Sequence, residues 1–287
     1  MLRTVIKWSV AVIGFLLVMG LASLILVGWS LARPVQRHIG DPPSDLNAQT
    51  VHFMSGSGAT VMGWFCPVAN ERGVVLLLPG IRANRLSMVG RARFLQSAGY
   101  SVVLIDFQAT GETHGDRITF GWKESRDVIA AVDHIRSLRP VAPIGIIGSS
   151  LGGAAALLAT PPLKVDALAL ESVYPTIKIA TANRLERYLG PLGRAVTPFL
   201  LKQLRPRLGV SATKLRPIDH VGDVRCPILI MAGEKDRYTR PEDTRWLFAR
   251  AHPPKELWFV PNAGHVDLHR AATQEYESRL LAFLKQM

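Results

Sequence analysis

The sequence is short of cysteine. Its 287 residues hold two, Cys66 and Cys226, with no CxxC pair and no Cys/His spacing of a structural metal. That excludes the disulfide-framed secreted scaffolds and the zinc-finger class. Both thiols fall in apolar runs and read as buried and free, though one bridge between them stays open from sequence alone. Acidic side chains are also in deficit, with 22 Asp and Glu against 34 Lys and Arg, a formal charge of +12. No nucleic-acid motif of interleaved basic and aromatic residues is present, so no nucleic-acid partner is expected. A negatively charged membrane surface is the simpler partner for such a chain. Charge of either sign is missing altogether from Trp8 to Ala32.

That uncharged stretch is what the chain has in its place. About 20 apolar residues cross a bilayer as a helix, whereas a secretion signal carries an apolar stretch of about 7–15. Residues 1–32 therefore read as a single membrane anchor, with Trp8 and Trp29 near its ends as interface aromatics. Ser30-Leu31-Ala32 resembles a small-residue cleavage site, so removal of the segment is the alternative. Arg3, Lys7 and the α-amino group precede the span, and Arg33 and Arg37 follow it. The slight N-terminal excess points to a cytoplasmic N-terminus and an exported C-terminal domain. Turn-forming residues at Gly40-Asp41-Pro42-Pro43-Ser44-Asp45 mark residues 33–49 as a linker. Residues 50–287 then have the length of one domain.

Within that domain apolar runs alternate with helical patterns. Val51–Met54 and Ala59–Cys66, joined by Ser55-Gly56-Ser57-Gly58, read as a hairpin. Runs at 73–78, 101–106, 143–147, 165–170, 227–231 and 256–260 read as buried strands. Stretches 86–98, 122–138, 241–251 and 272–285 read as helices. Such alternation predicts an α/β class: a mostly parallel sheet with helices on both faces, and reactive groups in the loops at the carboxyl ends of its strands. Residues 172–220 break the rhythm with no strand of their own. They read as a helical cap with pieces at 181–189 and 197–204. The cap carries nine Lys and Arg against two acids, with apolar residues such as Tyr188, Phe199 and Leu204 between them. That composition suits a surface resting on lipid, or a solvated cap whose apolar side covers a pocket.

The chemistry concentrates at three strand ends. Gly148-Ser149-Ser150-Leu151-Gly152 is Gly-x-Ser-x-Gly between a strand and a small-residue helix. That turn lifts a serine hydroxyl clear of the backbone. A serine needs a base, and the base an orienting acid. Gly233-Glu234-Lys235-Asp236 offers Asp236 after one strand, and Asn262-Ala263-Gly264-His265 offers His265 after another. Glu171, ending the strand after Ser150, is the alternative acid, and Glu234 is a second neighbour able to substitute. His265 and His269 also have the spacing of a metal pair, but no third ligand cluster accompanies them.

Carried by these three motifs and their chain order, residues from about 50 to 287 resemble the α/β-hydrolase superfamily. With the anchor, the chain is similar to that group's single-pass membrane serine hydrolases. The resemblance implies Ser150 as nucleophile, His265 as general base and then acid, and Asp236 as orienting carboxylate. It also implies an oxyanion hole of two backbone N–H groups. One comes from Leu151 at a helix N-terminus, the other from Ile81 in the loop Pro79-Gly80-Ile81, where many relatives have His-Gly. The implied activity is hydrolysis of an acyl bond, a carboxylic ester before a thioester or peptide, through an acyl-enzyme and without metal or organic cofactor. A non-catalytic membrane-bound scaffold of the same fold is the competing class. The anchor and basic cap suggest an amphiphilic substrate. Arg82, Arg85, Arg91 and Arg93 follow the oxyanion loop with no acid among them. They read as solvated or membrane-facing, with binding of a substrate anion as the alternative.

Overall fold

A computed structural model describes residues 2–287; the side chain of Arg3, counted above in the charge balance, lies outside the described residues. Leu2–Ala32 is one unbroken helix, α1. Its Ile6–Ala32 stretch is long and apolar enough to cross a membrane; the most apolar 18-residue window in it has a mean hydropathy of 2.9 and is not covered by the rest of the chain. The following segment is laid along the domain. A two-residue strand β1, Val35–Gln36, pairs in parallel with β6, Thr110–Gly111. The Val35 and Arg37 N–H groups donate to the carbonyls of Ala109 and Gly111, each at 2.8 Å. Leu46 is buried in the core. Two residues are too few to show a strand period, so the turn residues around them dominated the sequence pattern.

The main sheet has eight strands. They are β2 (Gln49–Met54), β3 (Thr60–Cys66), β4 (Val74–Leu78), β5 (Ser101–Ile105), β7 (Ile144–Ser149), β8 (Ala167–Glu171), β9 (Ile228–Gly233) and β10 (Lys255–Val260), in the order β10-β9-β8-β7-β4-β5-β3-β2. β3 runs antiparallel to β2 and β5, and every other pairing is parallel. β4 shows why a continuous apolar run forms such a strand. Val74, Leu76 and Leu78 enter the core on one face of the sheet, Val75 and Leu77 the core on the other, and all five are fully buried. Each buried leucine contributes about 1.5–3 kcal/mol. On the first face lie α3 (Glu124–Leu138), α4 (Leu151–Leu157) and α8 (Pro241–Arg250), through Val128, Ile135, Ala155 and Leu247. On the second lie α2 (Val89–Ser97) and α10 (Thr273–Leu284), through Leu95, Tyr276 and Leu280. The architecture is an α/β-hydrolase fold.

The insertion between β8 and β9 is helical, as expected, with shifted boundaries. α5 covers Ile177–Leu189, α6 Leu192–Leu201 and α7 Leu204–Leu208. Pro198 sits inside α6 rather than at its start. A proline near a helix start is the commoner pattern, which is why the sequence placed this boundary too late. α5 and α6 turn back on each other at Gly190 (φ 57°) and pack closely. α6 also touches α1. A short α9 (Leu268–Ala271) precedes α10.

Candidate active site

The turn from β7 into α4 is set by close packing. A Cβ on Gly148 would lie 2.6 Å from the Gly153 Cα, and one on Gly152 would lie 2.5 Å from the Leu78 carbonyl oxygen. Only glycine lets the helix double back over the strand here. Between them Ser150 takes φ 48° and ψ −105°. A non-glycine residue in that region costs about 1–3 kcal/mol and needs support on both sides. The support is visible: the Ser150 N–H donates to the Glu171 carbonyl (2.7 Å), and its own carbonyl accepts from Ala154 (3.0 Å). The strain holds the Ser150 side chain out over the carboxyl edge of the sheet, half-buried, at a cavity.

Asp236 follows β9 and its side chain is fully buried. Oδ1 accepts the N–H groups of Tyr238 (2.8 Å) and Thr239 (2.9 Å). Oδ2 is left for the Nδ1 of His265, 2.7 Å away. A carboxylate on Nδ1 favours the tautomer with the proton there and leaves Nε2 free to accept. The Tyr238 ring stands edge-on to the imidazole at 5.6 Å, which limits its rotation. Ser150 and His265 line the same cavity. Ile81 and Leu151 line that cavity too, and neither backbone N–H has an intramolecular acceptor among the described residues. Gly80 brings the loop against Ser150: a Cβ there would lie 3.9 Å from the Ser150 Cβ.

The other sequence candidates are engaged elsewhere. Glu171 is buried and gripped by Arg91, with Nε 2.9 Å from Oε1 and Nη2 2.7 Å from Oε2, and it accepts the Tyr276 hydroxyl. It cannot also orient His265, so its reading as the alternative acid is overturned. Glu234 is exposed and accepts the Asn262 N–H at 3.0 Å, bracing the loop before His265. His269 turns to Glu277 (2.8 Å) and packs among Phe94 and Tyr276 rather than pairing with His265. No group of three or more His, Cys, Asp or Glu converges among the described residues. The arginine reading needs the larger correction. Arg85 and Arg91 are fully buried. Arg85 pairs with Asp106 and Glu112 and stacks on Trp64 at 4.5 Å. Arg91 reaches Asp267 (2.8 Å) besides Glu171. Their partners are distant in sequence, so the local absence of acids misled. Arg93 is exposed and paired with Asp45, and Arg82 is exposed with Nη1 3.1 Å from the Ser30 carbonyl. Both cysteines are free. Burial pushes the Cys66 thiol up to about 12 and Cys226 to about 11, so neither is a ready nucleophile.

The cavity has a volume of about 130 Å³ and is partly open to solvent. Beyond Ser150 and His265 its walls are mostly aliphatic, from Ile177 in α5 and Leu200, Leu204 and Leu208 near α6 and α7. Gly28, Leu31 and Ala32 of α1 also line it, and nothing in the local sequence signalled that.

Known proteins share this arrangement of elements. The plant protein "Alpha/beta hydrolase domain-containing protein WAV2" of Arabidopsis thaliana is 26% identical over 276 residues, covering 91% of this chain and 85% of that protein. The uncharacterized protein YfhR of Salmonella typhi is 24% identical over 244 residues, covering 78% and 77%. Among solved structures, the Pyrococcus furiosus esterase Pf2001 superposes with a TM-score of 0.74 at 23% identity, covering 89% of this chain and 98% of that one. An esterase from Exiguobacterium antarcticum gives 0.61 at 14% identity, covering 83% and 100%. The family model described as "Alpha/beta hydrolase family" matches residues 75–278, a span running from β4 through the serine turn and the Asp236–His265 pair into α10, and the chain belongs to that family.

Proposed function

We propose that the chain is a serine hydrolase that cleaves a carboxylic ester by an acyl-enzyme route at a membrane surface. One observation supports the reading: His265, paired with the buried Asp236, a strained Ser150, and Ile81 and Leu151, whose backbone N–H groups have no intramolecular acceptor, line a single cavity. Ser150 Oγ attacks the carbonyl carbon while His265 Nε2 takes its proton. The imidazolium that forms is stabilised by the buried Asp236 carboxylate. The carbonyl oxygen becomes an oxyanion and accepts from the Ile81 and Leu151 N–H groups; such a donor is worth ~10²–10³ in rate. The C–O bond then breaks, His265 protonates the departing alkoxide, and the acyl group stays on Ser150. A water, deprotonated by His265, attacks the acyl-enzyme and frees the acid.

The membrane part of the proposal rests on α1 and on the cap. α1 anchors the chain, with the N-terminus cytoplasmic and the domain exported. Leu192 and Phe199 of α6 are exposed, among Arg194, Lys202 and Arg205. Apolar side chains ringed by cations suit an anionic lipid surface, with no role for nucleic acid. Fluorophosphonate labelling tests the chemistry. Labelling lost in Ser150→Ala, with ester turnover above thioester and peptide turnover in a matched panel, is the expected result. Labelling that survives Ser150→Ala would identify another nucleophile, and no labelling of the wild type would leave a non-catalytic scaffold.

A further inference from the structure

The cavity has a wall that does not belong to the hydrolase domain. Gly28, Leu31 and Ala32, in the last two turns of α1, line it together with Ser150 and His265. That end of the helix is held firmly. Gln203 Nε2 donates to the Leu24 carbonyl (3.2 Å) and Arg207 Nη1 to the Ile25 carbonyl (3.1 Å). Arg82, next to the oxyanion-loop residue Ile81, donates to the Ser30 carbonyl (3.1 Å). The Ile118 N–H donates to the Ala32 carbonyl (2.9 Å). Arg117 and Arg207 both stack on Trp29, at 4.1 and 5.6 Å. Gly28 permits the approach, since a Cβ there would lie 2.5 Å from Gln203 Oε1 and 2.6 Å from Arg207 Nη1.

The length of α1 fits a double role. The 27 residues of Ile6–Ala32 rise roughly 40 Å at 1.5 Å each, against a hydrocarbon core of roughly 30 Å. Roughly seven residues are therefore surplus to the span, about the two turns that meet the domain. The contacts with the domain run from Leu24 to Ala32, at that end of the helix. Leu200, Leu204 and Leu208 of the cap line the same cavity as α1 and Ser150, together with Arg184, Gln203 and Arg207, so its lining is largely but not wholly apolar.

We infer that the last turns of α1 form one side of the substrate's chain-binding site, and that this site takes the unbranched acyl chain of a membrane-resident ester. The inference rests on the serine-hydrolase reading above. An acyl chain leaving the bilayer beside α1 stays against apolar surface until its carbonyl reaches Ser150, so little apolar area is exposed to water on the way. Leu31 is then a specificity-determining side chain, and removal of the helix after Ala32 would open the site on that side.

The test uses the full chain in detergent and a p-nitrophenyl ester series from acetyl to hexadecanoyl at sub-micellar concentration. The quantity read is the ratio of kcat/KM for the dodecanoyl ester to that for the acetyl ester. Leu31→Trp is expected to lower this ratio at least about tenfold by filling the wall, the scale of one or two methylenes misplaced in a pocket. Leu31→Ala is expected to move the preferred chain length upward. Opposite shifts in the two variants support the inference, and a folding defect cannot mimic them because it scales both esters alike. Unchanged ratios in both variants, in a protein that still hydrolyses the acetyl ester and labels at Ser150, overturn the inference and leave the hydrolase reading intact. A wild type that neither labels nor turns over any ester overturns both.

Discussion

Replacing Asp236 by asparagine tests whether this carboxylate, rather than Glu171, orients His265. The amide oxygen of the new side chain still accepts the two N–H groups that Asp236 Oδ1 now holds at 2.8 and 2.9 Å, so the loop keeps its shape. The change falls on the other atom. An amide NH₂ replaces the acceptor 2.7 Å from His265 Nδ1. Two donors cannot face each other, so the imidazole places its lone pair on Nδ1 and its proton on Nε2. It then has nothing with which to take the serine proton, and the buried anion that steadied the imidazolium is gone. Wrong-tautomer losses of this kind run at ~10⁴ in kcat, about 5.4 kcal/mol at about 1.36 kcal/mol per factor of ten. Glu171→Gln is the matched control. It leaves Arg91 buried with one of its two carboxylate partners neutralised and only Asp267 remaining, which costs about 3–5 kcal/mol of stability. At roughly 2–4 °C per kcal/mol the melting temperature drops by roughly 10 °C, while turnover per folded molecule stays within a few-fold. The assay is kcat/KM on a short soluble ester beside a thermal melt of each variant. Asp236→Asn retaining a tenth or more of wild-type kcat/KM would refute the assignment. So would Glu171→Gln abolishing turnover in a protein that melts normally.

Other outcomes follow from the same contacts. Gly152→Ala forces a Cβ to within 2.5 Å of a backbone carbonyl that cannot retreat, and is expected to cost ~3 kcal/mol or more, read by chemical denaturation. At Glu112, burial pushes the carboxyl up, but the Arg85 guanidinium and the Ile39 and Gly40 N–H groups outweigh it and hold it at about 2, against an ordinary 4.5. A folded-state value below the unfolded one adds stability that is complete above about pH 4.5 and lost as pH falls through about 2. Wild type should therefore exceed Glu112→Gln by about 2 kcal/mol at neutral pH, allowing for solvent screening, and the gap should close toward about pH 2 in urea melts. Phe199→Asp should weaken binding of the full chain's cap to anionic vesicles, seen as lost protection of α6 in hydrogen exchange when vesicles are added; unchanged protection would remove the cap from the membrane surface.

Much of the architecture was legible in the linear order of residues. The run Val74–Leu78, with no polar side chain to face water, has no option but a strand covered on both sides. The glycines at 148 and 152 state in advance that a strand and a helix will touch there. The apolar length of α1 is likewise a property of composition, because a bilayer reads only length and polarity. What residues 82–93 do was not legible. Arg85 and Arg91 look like surface cations in sequence because their partners, Asp106, Glu112, Glu171 and Asp267, lie far along the chain or on other strands. Choosing between Asp236 and Glu171 needed the same information, since both lie at or just after strand ends and only the folded chain brings Asp236 to His265 and Arg91 to Glu171. The contribution of Gly28, Leu31 and Ala32 to the cavity was invisible for the same reason. Local pattern determines which elements form and which faces they bury. Charge pairing and the closing of a cavity depend on which distant surfaces meet, and that is decided only when the sheet, the cap and the N-terminal helix pack together.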